Sequence, residues 1–219
     1  MSAESPRKRS PRIRRKRRQA RREILDAAKR ILSEQGIDAV TLASVAGELG
    51  MTRQALYHYF PSKDALERSL VVALLDEEVE VLVAAVQAAK APGQVLGTLI
   101  RAFYQHYVHR LDAFRMIYTR QQLNLASELT LDPETIHEEI NPLTRRLFDV
   151  LEERLAGAGS GPSHRVGKRR LAFTAWTAAL GLVTILSVTE AAGDPLVHGT
   201  PALLDTLSGV FDQAALEEG

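Results

Sequence analysis

The chain has 219 residues, 45% apolar and 25% charged, the ordinary balance of a globular protein with length for one or two domains. It has no cysteine, which excludes disulfide scaffolds, thiolate catalysis, zinc fingers and iron–sulfur clusters. The net charge of +1 conceals an asymmetry: residues 1–22 hold eleven Lys/Arg against one acid, Glu4, and the rest of the chain is left near −9. One end is suited to a polyanion. A purely solvated tail is one rival reading. An anionic membrane is another, weakened because Ile13 is the tail's one large apolar residue. The basic start is followed by no apolar h-region, so no secretory signal is expected.

Residues 1–16, rich in Arg, Lys, Ser and Pro, are expected to form a disordered basic arm. From about Arg17 the pattern turns helical, with Ile24, Leu25, Ala28, Ile31 and Leu32 on one face. Gly36 ends that helix in a left-handed position. Thr41 N-caps a short helix striped by Leu42, Val45, Ala46 and Leu49, which Gly50 ends. Thr52 caps a third helix, predicted from Arg53 to about Phe60, and Pro61-Ser62 breaks and re-caps the chain. A long helix follows from Lys63 to about Ala89, roughly 40 Å at 1.5 Å per residue.

After Pro92-Gly93, the residues Leu96, Leu99, Ile100, Phe103 and Tyr107 mark another amphipathic helix. A shorter one is predicted over about Ala113–Gln122. Asp132-Pro133 opens a helix to about Ala156, and residues 157–163 read as a flexible loop. The last two helices are predicted from about Arg165 to Ala191 and from about Pro201 to Ala215. No alternating pattern appears. The fold class is all-α, about nine helices, with an N-terminal helix-turn-helix domain and a larger C-terminal helical domain. The boundaries expected are 1–16 for the arm, 17–66 for the helix-turn-helix domain and 67–219 for the rest.

Residues 41–60 form two short helices joined by Gly50-Met51-Thr52, with a supporting helix before them. In helix-turn-helix proteins the second such helix enters the major groove. Arg53, Gln54, Tyr57 and His58 line its polar side, while Leu56 and Phe60 are expected in the core. This stretch, Ile24–Leu70, resembles the TetR family of bacterial transcription regulators. The family's signature is matched by Thr52, Leu56-Tyr57, Tyr59-Phe60, Lys63 and Leu66. Beyond it the chain resembles the family only in having further helices.

The resemblance implies a cytoplasmic, homodimeric, non-enzymatic DNA-binding regulator acting on a palindromic operator, with no cofactor and no metal. Arg53 has the geometry to pair with guanine O6/N7 and Gln54 with adenine N6/N7. Thr41 and Thr52, at helix N-termini, suit phosphates. Tyr57 and Tyr59 resemble the family's phosphate- and thymine-contacting aromatics, Lys63 its phosphate-binding lysine, and His58 stands where its base contacts vary. The arm, through Arg14, Arg15, Arg17 and Arg18, is expected to neutralise phosphates and to lie in a neighbouring minor groove. The family also implies a small-molecule inducer in the C-terminal domain. The candidates to line its pocket are Phe103, Tyr107, Met116, Phe148, Phe173 and Trp176, with Gln121, Gln122 and Asn124 available to orient a polar group. That set suggests a mainly apolar ligand. A constitutive architectural DNA-binding protein without an inducer is the alternative.

Two further patterns compete with this reading. Leu171–Thr189 carries no charge over 19 residues, which raises a membrane span. Its five Thr/Ser residues argue instead for a helix buried between its own domain and a second subunit. Gly181 and Ala178-Ala179 would let a partner helix approach, and the final helix completes a two-fold bundle. Glu134-x-x-His137 resembles half a di-iron site but has no second copy, and His106 and His109, one turn apart, could share a metal with a third ligand but read more readily as surface or interface polar groups. No nucleophile, phosphate-loop or dinucleotide motif is present.

Overall fold

The computed structural model describes residues 11–119, 131–156, 162–192 and 200–217, the side chains of 162–166, 190–192 and 217 excepted. Every regular element among the described residues is helical. Residues 1–10 of the arm, the candidates Gln121, Gln122 and Asn124, and most of the predicted loop at 157–163 lie outside them. The chain divides after Val71 into two compact units, later than the boundary expected at residue 66.

In the first unit, α1 (Pro11–Gln35) opens earlier than its apolar period predicts. Proline at the first helical position gives up no hydrogen bond, and Arg, Lys, Gln and Ala propagate a helix well. Residues 11–19 are exposed, so they left no hydrophobic period to read. Gly36, at φ 82°, ends α1. A 3₁₀ turn over Ile37–Ala39 leads to α2 (Leu42–Glu48) and α3 (Arg53–Tyr57). α3 stops short of the predicted Phe60. The N–H groups of Tyr59 and Phe60 both turn back to the Leu56 carbonyl, at 2.9 and 3.0 Å, and Phe60 precedes Pro61, which disfavours helical backbone. The long helix α4 (Lys63–Ala88) then starts from a Ser62 cap, whose Oγ accepts from Ala65 N at 3.1 Å. Ile24, Ala27, Ala28, Ile31 and Leu32 are buried, as are Val45, Leu56, Phe60, Leu66 and Leu70, and together they make the core of this unit.

The second unit is built around α5 (Val95–Tyr107), whose Val95, Leu96, Leu99, Ile100, Phe103 and Tyr107 are fully buried. A short helix α6 (Leu111–Phe114) widens into a π turn over Arg115–Thr119. Asp132 caps a lead-in over Pro133–Thr135, which passes through a second π turn, Ile136–Ile140, into α7 (Asn141–Ala156). α8 (Pro162–Ala192) and α9 (Thr200–Glu217) both pack on α5, and α8 also packs on α7.

The stretch Gly167–Thr189 of α8 is long and apolar enough to cross a membrane, with mean hydropathy 1.9 and 28% of it buried. The helix is two-faced. Ala172, Ala175, Ala179 and Val183 form a buried stripe, and Phe173, Ile185 and Val188 are exposed. The hydroxyls of Thr174, Thr177 and Thr184 donate to carbonyls one turn back, at 2.9, 2.8 and 2.8 Å, so none needs a partner elsewhere.

α5 and α9 are joined by a cap in trans. Gly97 N, an unsatisfied donor of the first turn of α5, donates to Asp212 Oδ1 at 2.7 Å. A Cβ on Gly97 would collide with that carboxylate. Gly97→Ala is therefore expected to cost about 1–3 kcal/mol by overpacking. Gly47→Ala, in α2 with open space around it, should be neutral or gain up to about 1 kcal/mol. Thermal unfolding of the two variants checks the contrast.

Candidate functional site

The helix-turn-helix hairpin is assembled from local hydrogen bonds. Thr41 and Ser44 form a reciprocal box: Ser44 N donates to Thr41 Oγ1 and Thr41 N to Ser44 Oγ, both at 3.0 Å. Gly50, at φ 61°, makes the turn between the helices, and Met51 N closes it on Ala46 O at 2.8 Å. Thr52 Oγ1 accepts from Ala55 N at 3.1 Å, which leaves its O–H free to donate to an incoming oxygen. Leu56 and Phe60 are fully buried. That anchoring puts Arg53, Gln54, Tyr57 and His58 on the outside. Thr41 and Tyr59 are half-buried, and Lys63 is exposed 3.5 Å from Glu67.

The basic face belongs to α1. Arg12, Arg14, Arg15, Lys16, Arg17, Arg18 and Arg22 are exposed along it. Arg17 reaches the turn after α3, donating to His58 O at 3.3 Å. A groove of about 380 Å³ lies there, lined by Ile13, Lys16, Arg17, His58 and Tyr59. Arg21 has a different role from its neighbours. It donates to Tyr59 O at 2.7 Å and to Ser69 Oγ at 3.1 Å, with its guanidinium 4.3 Å above the Phe60 ring. It ties α1 to the end of the helix-turn-helix hairpin and to α4. Sequence reasoning counted Arg21 only as tail charge, although its spacing from Ile24, Ala28 and Ile31 places it on the buried stripe.

The second unit strings its aromatic side chains together. Phe103 lies 5.1 Å from Tyr107, Tyr107 5.3 Å from Phe114, and Phe114 5.2 Å from Tyr118. Tyr118 is 6.2 Å from Trp176, which is 6.5 Å from Phe148 and 5.7 Å from Phe173. Of the predicted pocket residues, Phe103, Tyr107, Met116 and Phe148 are buried and Trp176 is half-buried. Phe173 is 54% exposed, so its ring faces outward more than inward. Among the described residues no group of three or more His, Asp or Glu suits a metal ion.

The family model for bacterial regulatory proteins, tetR family, matches residues 24–70, the segment that holds the capped hairpin. Over this segment the chain is similar to the TetR family. It is 34% identical over 85 residues to the HTH-type transcriptional regulator BetI of Rhizobium meliloti, covering 39% of this chain and 42% of that protein. It is 34% identical over 114 residues to the HTH-type transcriptional repressor Rv1474c of Mycobacterium tuberculosis, covering 52% and 53%. The chain thus spans about half the length of the curated relatives it matches. A TetR/AcrR-family transcriptional regulator from Thermobifida fusca shares its fold, with a TM-score of 0.61 at 19% identity over 89% of this chain and 97% of the other. So does a TetR variant from Acinetobacter baumannii in complex with minocycline, with a TM-score of 0.59 at 19% identity over 89% and 94%.

The second unit holds a carboxyl group that sequence reasoning missed. Glu78 is 2% exposed and accepts from the hydroxyls of Tyr107 and Tyr118, the latter at 3.0 and 2.8 Å to its two oxygens. It hid in the acidic run Asp76-Glu77-Glu78-Val79-Glu80, which reads as a solvated patch. Its position one turn from both Leu74 and Leu82, which are buried, was the available signal. Burial pushes its carboxyl up to about 7, with the two tyrosine hydrogen bonds opposing. Both tyrosine hydroxyls are pushed up as well, first by burial. His106 is pushed down to about 4 by burial and the charge of Arg110.

A carboxyl raised in the folded state favours folding only while protonated. The Glu78 contribution should therefore fall as pH rises from about 4.5 to about 7 and stay flat above. The full drop is on the order of 3 kcal/mol at 1.36 kcal/mol per unit. Urea midpoints of the wild type and Glu78→Gln across that range should converge at acid pH, with the variant the more stable at pH 8.

Proposed function

We propose that this chain is a cytoplasmic transcription regulator that binds a palindromic operator as a homodimer, represses by occluding a promoter, and is released by a small molecule held in its second unit. The observation that carries the reading is the outward set Arg53, Gln54, Tyr57 and His58 on a capped helix whose other side is sealed into the core. Arg53, Gln54 and His58 read base edges; Thr41, Thr52, Tyr57, Tyr59 and Lys63 meet the sugar–phosphate backbone. The names of the relatives, a transcriptional regulator and a transcriptional repressor, support the class.

The exposed apolar side chains Phe173, Ile185 and Val188 on α8 and Val210 and Leu216 on α9 support a second copy as the partner that covers these helices. Release by a ligand is supported by the fold shared with a protein in complex with minocycline. It is also supported by α4, which leaves the recognition hairpin at Lys63 and runs unbroken to Ala88. Two half-sites about 34–36 Å apart tolerate little change in the spacing of two recognition helices. A ligand preferring the non-binding conformer about 100-fold supplies roughly 2.7 kcal/mol per site.

Arg53→Ala should cost about 1–3 kcal/mol on the operator and relax sequence choice at one base pair per half-site. Fluorescence anisotropy on operator and random duplexes separates the cases: equal losses on both reassign Arg53 to the backbone. Deleting residues 1–18 should weaken operator binding and flatten the plot of log K against log salt by about 0.9 per lost phosphate contact. An unchanged slope means that the arm does not touch DNA.

A further inference from the structure

The acids flanking Glu78 on α4 have cationic partners. Glu77 pairs with Arg110 at 3.0 Å and Glu80 with Arg146 at 2.6 Å. Glu78 has no such partner among the described residues; two neutral phenols are its hydrogen-bond donors. A buried carboxyl without a counter-charge is costly, and an apolar residue of the same size would pack there at less cost. The site is therefore built for something that an apolar core does not need.

Its surroundings narrow the chemistry. Ring faces carry partial negative charge and attract cations, most strongly when desolvated. Tyr107, Tyr118, Phe114 and Trp176 stand around the carboxyl or one ring away from it. Phe103, Phe114 and Tyr107 are sealed, whereas Tyr118 and Trp176 are only half-buried, so the Tyr118–Trp176 side is the less covered one. Tyr118 rides on the π turn Arg115–Thr119, a backbone irregularity that recurs at functional sites in place of regular helix. A single carboxylate matches one positive charge. An anion would be repelled, and a neutral apolar molecule would leave the carboxyl unpaired. A hard divalent ion needs more oxygen ligands than one glutamate offers.

We propose that Glu78, with the rings of Tyr107, Tyr118 and Trp176, anchors an organic monocation, an amine or a quaternary ammonium, as the ligand of the second unit. This rests on the ligand-release reading above and replaces the mainly apolar ligand expected from the sequence with a charged one. The cation supplies the counter-charge and takes the neighbouring aromatic rings as its walls, and Tyr118 gives up its hydrogen bond to admit it.

The test uses the full-length protein at constant ionic strength and follows Trp176, the chain's one tryptophan. The probes are tetramethylammonium, benzyltrimethylammonium and neopentylbenzene, the uncharged isostere of the second. Benzyltrimethylammonium should change Trp176 emission saturably and bind at least tenfold tighter than neopentylbenzene. Glu78→Gln keeps shape and hydrogen bonding; it should lose tenfold or more for the cation and nothing for the isostere. Tyr118→Phe, which keeps the ring and frees the carboxylate, should bind the cation as tightly as the wild type or more so, and it serves should Glu78→Gln fail to fold. The proposal is overturned if no cation perturbs Trp176, if the isostere binds as well as the cation, if Glu78→Gln binds the cation unchanged, or if Tyr118→Phe loses it tenfold. Operator anisotropy is read separately. A cation that binds through Glu78 yet leaves DNA affinity untouched removes ligand release and keeps the site; a neutral compound that releases DNA with no cation bound does the reverse.

Discussion

α3 has five residues, too few to hold a helix in water, where even longer isolated helices are marginal. What keeps it helical and aimed is the burial of Leu56 and Phe60 together with the cap at Thr52. Everything proposed for DNA reading depends on that anchoring. Because one side of so short a helix is fixed, Arg53, Gln54, Tyr57 and His58 have one side left to occupy. Arg21 completes the arrangement from outside the hairpin. Its guanidinium satisfies the Tyr59 carbonyl just past the helix and stacks on the same Phe60 that the core holds from the other side.

The second unit applies a similar constraint to charge. Along α4 the acids at 77, 78 and 80 differ by rotation about one axis. Rotation alone gives Glu77 and Glu80 to arginines at the surface and Glu78 to tyrosines in the interior. Identical side chains within one turn thus have unlike chemistry: an ordinary surface ion pair at one position and a carboxyl held near neutrality at another.

The all-α architecture, the capped hairpin and its inward pair were legible in the sequence because each leaves a periodic or positional trace: apolar residues three and four apart, hydroxyls before helices, glycines after them. The early start of α1 was not, since solvent-facing arginines carry no period. The early end of α3 was hidden because a turn stacked on Pro61 and a final helical turn look alike in residue type. Arg21 and Glu78 were missed for a common reason. Both are charged residues inside charged runs, and only their phase against apolar residues on the same helix face marks them as turned inward. Phe173 was read from its type as inward, yet aromatic character does not say which side of α8 a ring leaves from; the buried side is the small-residue stripe of Ala172, Ala175 and Ala179.

That stripe and the threonines beside it carry a further consequence. With the hydroxyls of Thr174, Thr177 and Thr184 turned back onto their own helix, the groups left to meet a neighbour are methyls, alongside Phe173, Ile185 and Val188. Such a face selects by shape and has almost nothing for mobile ions to screen. The arginine-laden α1 is the opposite, since each of its contacts with a polyanion is won by expelling ions. The two associations proposed for this chain are therefore governed by different properties of the solvent. Under the proposed function, raising the ionic strength strips the protein from nucleic acid and leaves the proposed pairing of subunits intact, so that what dissociates is still a whole dimer.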